Sequence, residues 1–133
     1  MKQYIIDAFT AVPGAGNPAA VCVMDVWPPA EKMQALAKKN NLSETAFLVK
    51  EGPGWRLRWF TPENEEVLCG HATLASSFVI LNYVEPGSDS VLFHSRSGDL
   101  TVNIGERFPI TEVATAFAAL ESRATTGKII LEH

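Results

Sequence analysis

The sequence is poor in cysteine, in net positive charge and in long apolar runs. Its two cysteines, Cys22 and Cys69, in 133 residues are too few for a disulfide scaffold, and neither has partners at metal-ligand spacing. A reducing cytoplasm is the expected compartment, and no metal site is expected. Lysine and arginine number 11 against 15 aspartates and glutamates, a formal net charge of −4. A general nucleic-acid binder needs a basic face, so that class is excluded. No apolar run approaches the roughly 20 residues of a membrane span. The opening Met1-Lys2-Gln3-Tyr4-Ile5-Ile6-Asp7 places an acid where a signal peptide is apolar. Internal repeats and low-complexity tracts are also missing. What is present is 47% hydrophobic and 20% charged residues, the balance of one globular domain of ordinary size.

Tyr4 to Phe9 reads as a strand, and Val12 to Pro18 as a loop punctuated by Pro and Gly. Ala19 to Met24 reads as a second strand. A helix is expected from the Pro28-Pro29 pair to Asn40-Asn41, with Met33, Leu36 and Ala37 on its inner face. Thr45–Lys50 and Trp55–Phe60 flank a Gly-Pro turn and should form an antiparallel hairpin. Gly70 to Tyr83 is the most apolar segment, and its length favours a buried helix. Val91–Phe93 and Leu100–Ile104 read as two more strands. Beyond Gly105 the texture changes. Thr111 to Ser122 has an amphipathic pattern carrying Val113, Ala116, Phe117 and Leu120, and Lys128 to Leu131 suits a last strand. The final Leu131-Glu132-His133 reads either as the start of an expression tag or as part of that strand.

Three polar clusters lie between these apolar elements: Gly16-Asn17-Pro18, Asn41-Leu42-Ser43-Glu44-Thr45, and Cys69-Gly70-His71. The third falls where the buried helix begins. The first amides of a helix have no partners within it and carry the positive dipole end, so a carboxylate can dock there beside Gly70. His71 at that point could donate to a ligand or move a proton. Glu44, facing a closed pocket, would have its pKa raised toward a useful acid/base range. Each residue also has a plainer reading. Glu44 suits a solvated loop or a helix cap, His71 a cap or core edge, Cys69 a small buried apolar residue, and Asn17 a turn. Glu63, Glu65 and Glu66 read as a solvated face. Taken one at a time, none of these signals names an activity.

Taken together they are more specific. Asp7-Ala8-Phe9, Gly16-Asn17-Pro18-Ala19-Ala20-Val21, Asn41-Leu42-Ser43-Glu44-Thr45-Ala46-Phe47, Arg58-Trp59-Phe60-Thr61-Pro62 and Cys69-Gly70-His71-Ala72-Thr73 together resemble the phenazine-biosynthesis (PhzF-like) isomerase family. That family shares the diaminopimelate epimerase fold. The resemblance spans residues 1 to about 104. It implies an α/β (α+β) architecture, one half of that fold, with a curved sheet around the central helix. It also implies isomerase chemistry without a cofactor on a small carboxylated substrate. The glutamate of the Asn-Leu-Ser-Glu motif is the family's acid/base, here Glu44. The histidine of the Gly-His pair assists it and binds substrate, here His71. Asn17, Ser43, Gly70 and Cys69 would line the substrate site. Cys69 falls where related epimerases keep a catalytic cysteine, and the family does not need it as a base.

Family members are about twice as long, with two α/β halves around a cleft. The second half supplies an aspartate and a Gly-rich loop that these 133 residues lack. Residues 105–133 resemble instead the C-terminal tail of zinc-independent quinone oxidoreductases. The chain then reads as a gene fusion: residues 1–104 form an isomerase half and residues 105–133 a structural helix–strand tail. No NADP site is carried over, because no Gly-rich cofactor turn is present. A half enzyme should expose the apolar face that met its partner, so a homodimer is expected. The rival reading is a non-catalytic binding or interaction module. The residues do not name the substrate.

Overall fold

A computed structural model describes residues 1–8 and 16–103. The expected helix at 111–122 and strand at 128–131 lie outside the described residues, as does most of the loop at 12–18.

The elements in chain order are β1 (Lys2–Ala8), β2 (Asn17–Met24), α1 (Ala30–Asn40), β3 (Glu44–Glu51), β4 (Gly54–Phe60), β5 (Glu65–Glu66), α2 (Gly70–Val79), β6 (Ser90–Ser95) and β7 (Gly98–Asn103). They form one mixed sheet in the order β1-β2-β3-β4-β6-β7, with β5 paired to β4. The β2/β3 and β4/β6 pairs are parallel, and the remaining pairs are antiparallel.

Strand alternation sorts the side chains into two cores. Ala19, Val21, Ala46, Leu48, Trp55, Leu57, Trp59, Val91 and Phe93 share one cluster with Ala72, Ala75 and Val79 of α2. Partly buried residues of β1 and β7 pack on the same cluster. The sheet therefore wraps α2. The opposite face carries Cys22, Phe47 and Phe60 against Met33 and Ala37 of α1. Phe47 and Phe60 meet edge to face at 5.4 Å. Coverage on both faces explains why the centre of β2 is buried residue after residue rather than alternately.

Helix α2 is buried nearly all round, and small residues allow it. Ser76 donates to the Ala72 carbonyl and Ser77 to the Leu74 carbonyl, each at 2.7 Å. Their hydroxyls are thus satisfied inside the helix, and the outer surface packs as apolar. The helix does not run unbroken to Tyr83. At Ile80–Val84 it widens into a π turn, closed by Glu85 N–H donating to the Ile80 carbonyl at 2.6 Å.

Helix α1 follows Pro29 and stops at Asn41, which adopts the left-handed conformation with φ 51°. The β3–β4 hairpin turns through Gly52-Pro53, and Gly52 has φ +56°. Gly54 is required for another reason, because a Cβ there would lie 2.6 Å from the Leu92 carbonyl oxygen of β6.

Two local readings are corrected. Asn17 and Pro18 belong to β2 rather than to the preceding loop. Pro18 is the second residue of the strand, opposite Asp7 of β1, and the β3 pairing begins only after it, at Ala19. Glu65 and Glu66 form β5 and are half buried, not a solvated face. The Arg58 Nε–H and Nη2–H groups donate to the two Glu65 carboxylate oxygens at 2.7 and 2.8 Å. A two-residue strand has no periodicity for the sequence to display.

Candidate active site

The site lies at one end of the sheet. Parallel pairing of β2 and β3 sets Ala19 opposite Glu44 and so brings both strand starts together. Ser43 Oγ–H donates to Asn17 Oδ1 at 3.0 Å across that junction. Antiparallel β4 returns its last residues to the same end, pairing Trp59 with Ala46 and Phe60 with Thr45. Strand β5 then leads the chain to Cys69, the residue that precedes α2.

Glu44 opens β3 and is only 7% exposed. Residues 46 and 48 of this strand face α2, and the same alternation turns Glu44 toward that side. Desolvation raises its pKa above the ordinary 4.5; a hydrogen bond from the Cys69 thiol opposes the rise and the Glu66 carboxylate adds to it. Its Oε2 is buried with no hydrogen-bond partner among the described residues. Burying a carboxylate in this state is costly, and such a group is poised to take a proton.

Cys69 stands between Glu44 and His71. Its Sγ lies 3.3 Å from His71 Nδ1. A thiol has one hydrogen, so with that hydrogen on the Glu44 side the His71 Nδ1–H donates to sulfur. Burial pushes the Cys69 thiol up to about 11, with the neighbouring Glu44 carboxylate adding to the rise. At neutral pH it is therefore a neutral donor rather than a thiolate. Cys22 is fully buried, and its thiol is pushed up to about 12 by the same desolvation.

Gly70 is the first residue of α2, and no side chain caps the helix start. The His71 and Ala72 amides lie against the Cys69 sulfur, so the positive end of the helix meets that thiol, and Gly70 keeps the approach to it open. Gly70 also edges an open cleft of about 390 Å³ running between α2 and β7, lined by Leu68, Thr73, Leu74, Leu100 and Val102 as well. Glu44 and His71 are not in that lining, so the cleft adjoins their cluster rather than enclosing it.

The structure thus gathers Glu44, Cys69 and His71 through direct contacts, and Asn17 with Ser43 through another. Two residues at this end were not among the candidate site residues: Glu66 was read as solvated, and Trp59 stood only as part of the Arg58–Pro62 motif. Only the register, Trp59 opposite Glu66 and Ala46, reveals both on the face of Glu44. Among the described residues no cluster of three or more His, Cys, Asp or Glu could hold a metal ion, and no helix is long and apolar enough to cross a membrane.

A family model described as phenazine biosynthesis-like protein matches residues 6–123. The chain belongs to this family. Two uncharacterized isomerases of Pseudomonas aeruginosa are 54% identical over 104 residues and 52% identical over 97 residues. These matches cover 77% and 73% of this chain, and 40% and 38% of the relatives. A crystal structure of a PhzF-family phenazine biosynthesis protein from Enterococcus faecalis is 54% identical, with a TM-score of 0.74 over 76% of this chain and 39% of that one. The chain therefore spans about two fifths of the length of these relatives. The match to the family model continues to residue 123, past the change of texture near Gly105, and the quinone oxidoreductase likeness of the tail finds no support in it.

Proposed function

We propose that the protein is an isomerase or epimerase that moves a proton on a small carboxylic acid without a cofactor, with Glu44 as the acid/base. The observation that carries this reading is the state of Glu44: buried, raised in pKa, and left beside Cys69 and His71 with an Oε2 unpartnered among the described residues. In the forward step Glu44 takes a proton from a substrate carbon. The electron pair of the broken C–H bond moves into the adjoining π system. The proton then returns from Glu44 to carbon, at another position or on the other face. His71 holds the substrate and assists the transfer. The positive end of α2, with Gly70 leaving room, receives the substrate carboxylate. Asn17, Ser43 and Cys69 line the site. The names of the relatives, isomerases and phenazine biosynthesis proteins, support the reaction class.

The site is proposed to be completed by a homodimer, in which a second copy covers the apolar surface beside α2. Val67 and Leu68 are 60% and 56% exposed there, immediately before Cys69. A binding module that keeps the fold without the chemistry is the second reading, favoured by the chain's span of about two fifths of its relatives.

The test is hydrogen exchange. Small carboxylic acids are screened by thermal shift, and binders are incubated with the protein in deuterated water. Deuterium entering a carbon-bound position, and failing to enter with Glu44→Gln, supports the enzyme. A binder whose hydrogens never exchange returns the protein to the binding-module reading.

A further inference from the structure

Three tryptophans are present, and they differ in how the indole N–H is served. Trp55 Nε1–H donates to Glu85 Oε1 at 2.8 Å. Trp59 is only 1% exposed, yet its Nε1 has no hydrogen-bond partner among the described residues. A buried indole N–H ordinarily finds an acceptor. The side chains of the cluster that Trp59 shares, Ala19, Ala46, Ala72 and Ala75 among them, are apolar and bring no acceptor of their own.

A second orphaned atom lies on the same face. Trp59 is directly opposite Ala46, so Glu44, two residues before Ala46 on β3, is its diagonal neighbour. Diagonal neighbours are about 7–8 Å apart at Cα, within reach of one another for aromatic and long side chains. Glu44 Oε2 is also buried and, among the described residues, unpartnered. Glu66, opposite Trp59 on β5, brings another carboxylate to this end of the face. One unused donor and one unused acceptor thus stand at the end of the sheet where α2 begins. A direct bond between them would satisfy both, and the structure does not make it.

We propose that Trp59 is the specificity-determining donor of the Glu44 site, its indole N–H binding an oxygen of the ligand while Glu44 faces the adjoining carbon. The inference rests on the isomerase reading for what Glu44 does, and it adds a requirement on the substrate. The ligand carries a carbonyl, carboxylate or hydroxyl oxygen close to the carbon that loses its proton. An analogue lacking that oxygen leaves the N–H buried and unpaired, and is rejected for that reason. Where the oxygen is a carbonyl, the same bond strengthens as negative charge develops on it during proton removal.

Two measurements on the full chain test this. The Trp59 N–H is closed to solvent in this structure, so a ligand or water reaches it only when this end of the sheet opens, and the Trp59 Hε1 should exchange with water faster than the core amides. The resonance is assigned by Trp59→Phe, and independently by elimination with Trp27→Phe and Trp55→Phe. An Hε1 that exchanges as slowly as the core amides overturns the proposal. Next, 2-oxoglutarate and glutarate, a pair differing by one oxygen, are titrated against the labelled protein. Preferential binding of the oxo acid, a shifted Trp59 Hε1, and loss of about 10-fold or more of that preference in Trp59→Phe support it. A preference that Trp59→Phe retains overturns it. Failure of the wild-type protein to exchange any substrate hydrogen counts against the isomerase reading alone, since exchange of the indole N–H with water does not depend on chemistry.

Discussion

Cys69 Sγ sits 3.3 Å from His71 Nδ1 while its thiol also reaches the Glu44 carboxylate. Two residues from the start of α2 are thereby tied to one from the start of β3. The thiol here works as a hydrogen-bonding link: it lowers the Glu44 pKa that desolvation raises. Five consequences of this arrangement and of its surroundings can be measured.

Glu44→Gln should reduce substrate proton exchange by about 10²–10⁴ and leave binding nearly intact. It should also stabilise the fold at neutral pH. The folded pKa of Glu44 lies above its ordinary 4.5, so the folded state holds the proton more tightly than the unfolded state. Stability of the wild type therefore falls as pH rises from about 4.5 through the folded value. Urea unfolding at neutral pH should show the variant ahead, and the gain should vanish in acid, where both states are protonated. A gain that persists unchanged in acid would falsify the assignment.

Cys69→Ala removes the hydrogen bond that lowers the Glu44 pKa. The limb of the pH–rate profile that reports ionisation of Glu44 should move to higher pH, with the plateau largely kept. A collapse of the plateau would instead mean that the thiol takes part in the chemistry.

With the Cys69 thiol near 11 and that of Cys22 near 12, native protein should react with iodoacetamide far more slowly than a free thiol, whose pKa is about 8.5. Rates should climb about tenfold per pH unit across the neutral range. Fast labelling of the folded protein at neutral pH would contradict the burial of both thiols.

The Arg58–Glu65 pair, with side chains 27% and 17% exposed, should matter for stability. Glu65→Gln leaves Arg58 with a weaker partner, and a loss of about 1–3 kcal/mol is expected. Arg58 holds the Glu65 carboxyl below the ordinary 4.5. Its contribution is present above about 4.5 and is lost as pH falls through the lower folded value. A double-mutant cycle with Arg58→Met isolates the pair, and a coupling near zero would show that it is merely a surface contact.

Sedimentation should find a homodimer, and Leu68→Asp should shift it toward monomer by placing a charge on the exposed apolar surface beside α2. A wild-type chain that sediments as a stable monomer at micromolar concentration sinks the proposal that a second copy completes the site.

Much of the fold was legible along the chain because the signals were local. Alternation in Trp55–Phe60 and the Gly52-Pro53 turn specify a hairpin. Asn41 ends α1 because asparagine tolerates the left-handed conformation. The apolar, small-residue run from Gly70 can only be a buried helix at that length, and its π turn at Ile80–Val84 is a departure that periodicity does not encode. Glu44, His71, Asn17, Ser43, Gly70 and Cys69 stood out in the sequence as candidates, by residue type and motif. Their company did not. Glu66 and Trp59 reach the face of Glu44 only through the β4–β5 and β3–β4 registers, and Asn17 meets Ser43 because β2 and β3 pair in parallel across an intervening helix. Such contacts join residues up to dozens of positions apart, and no local pattern carries them. The sequence by itself determined which chemistry-bearing groups were available and on which elements they ride. The tertiary structure alone decided which became desolvated, because burial depends on what the distant chain brings alongside.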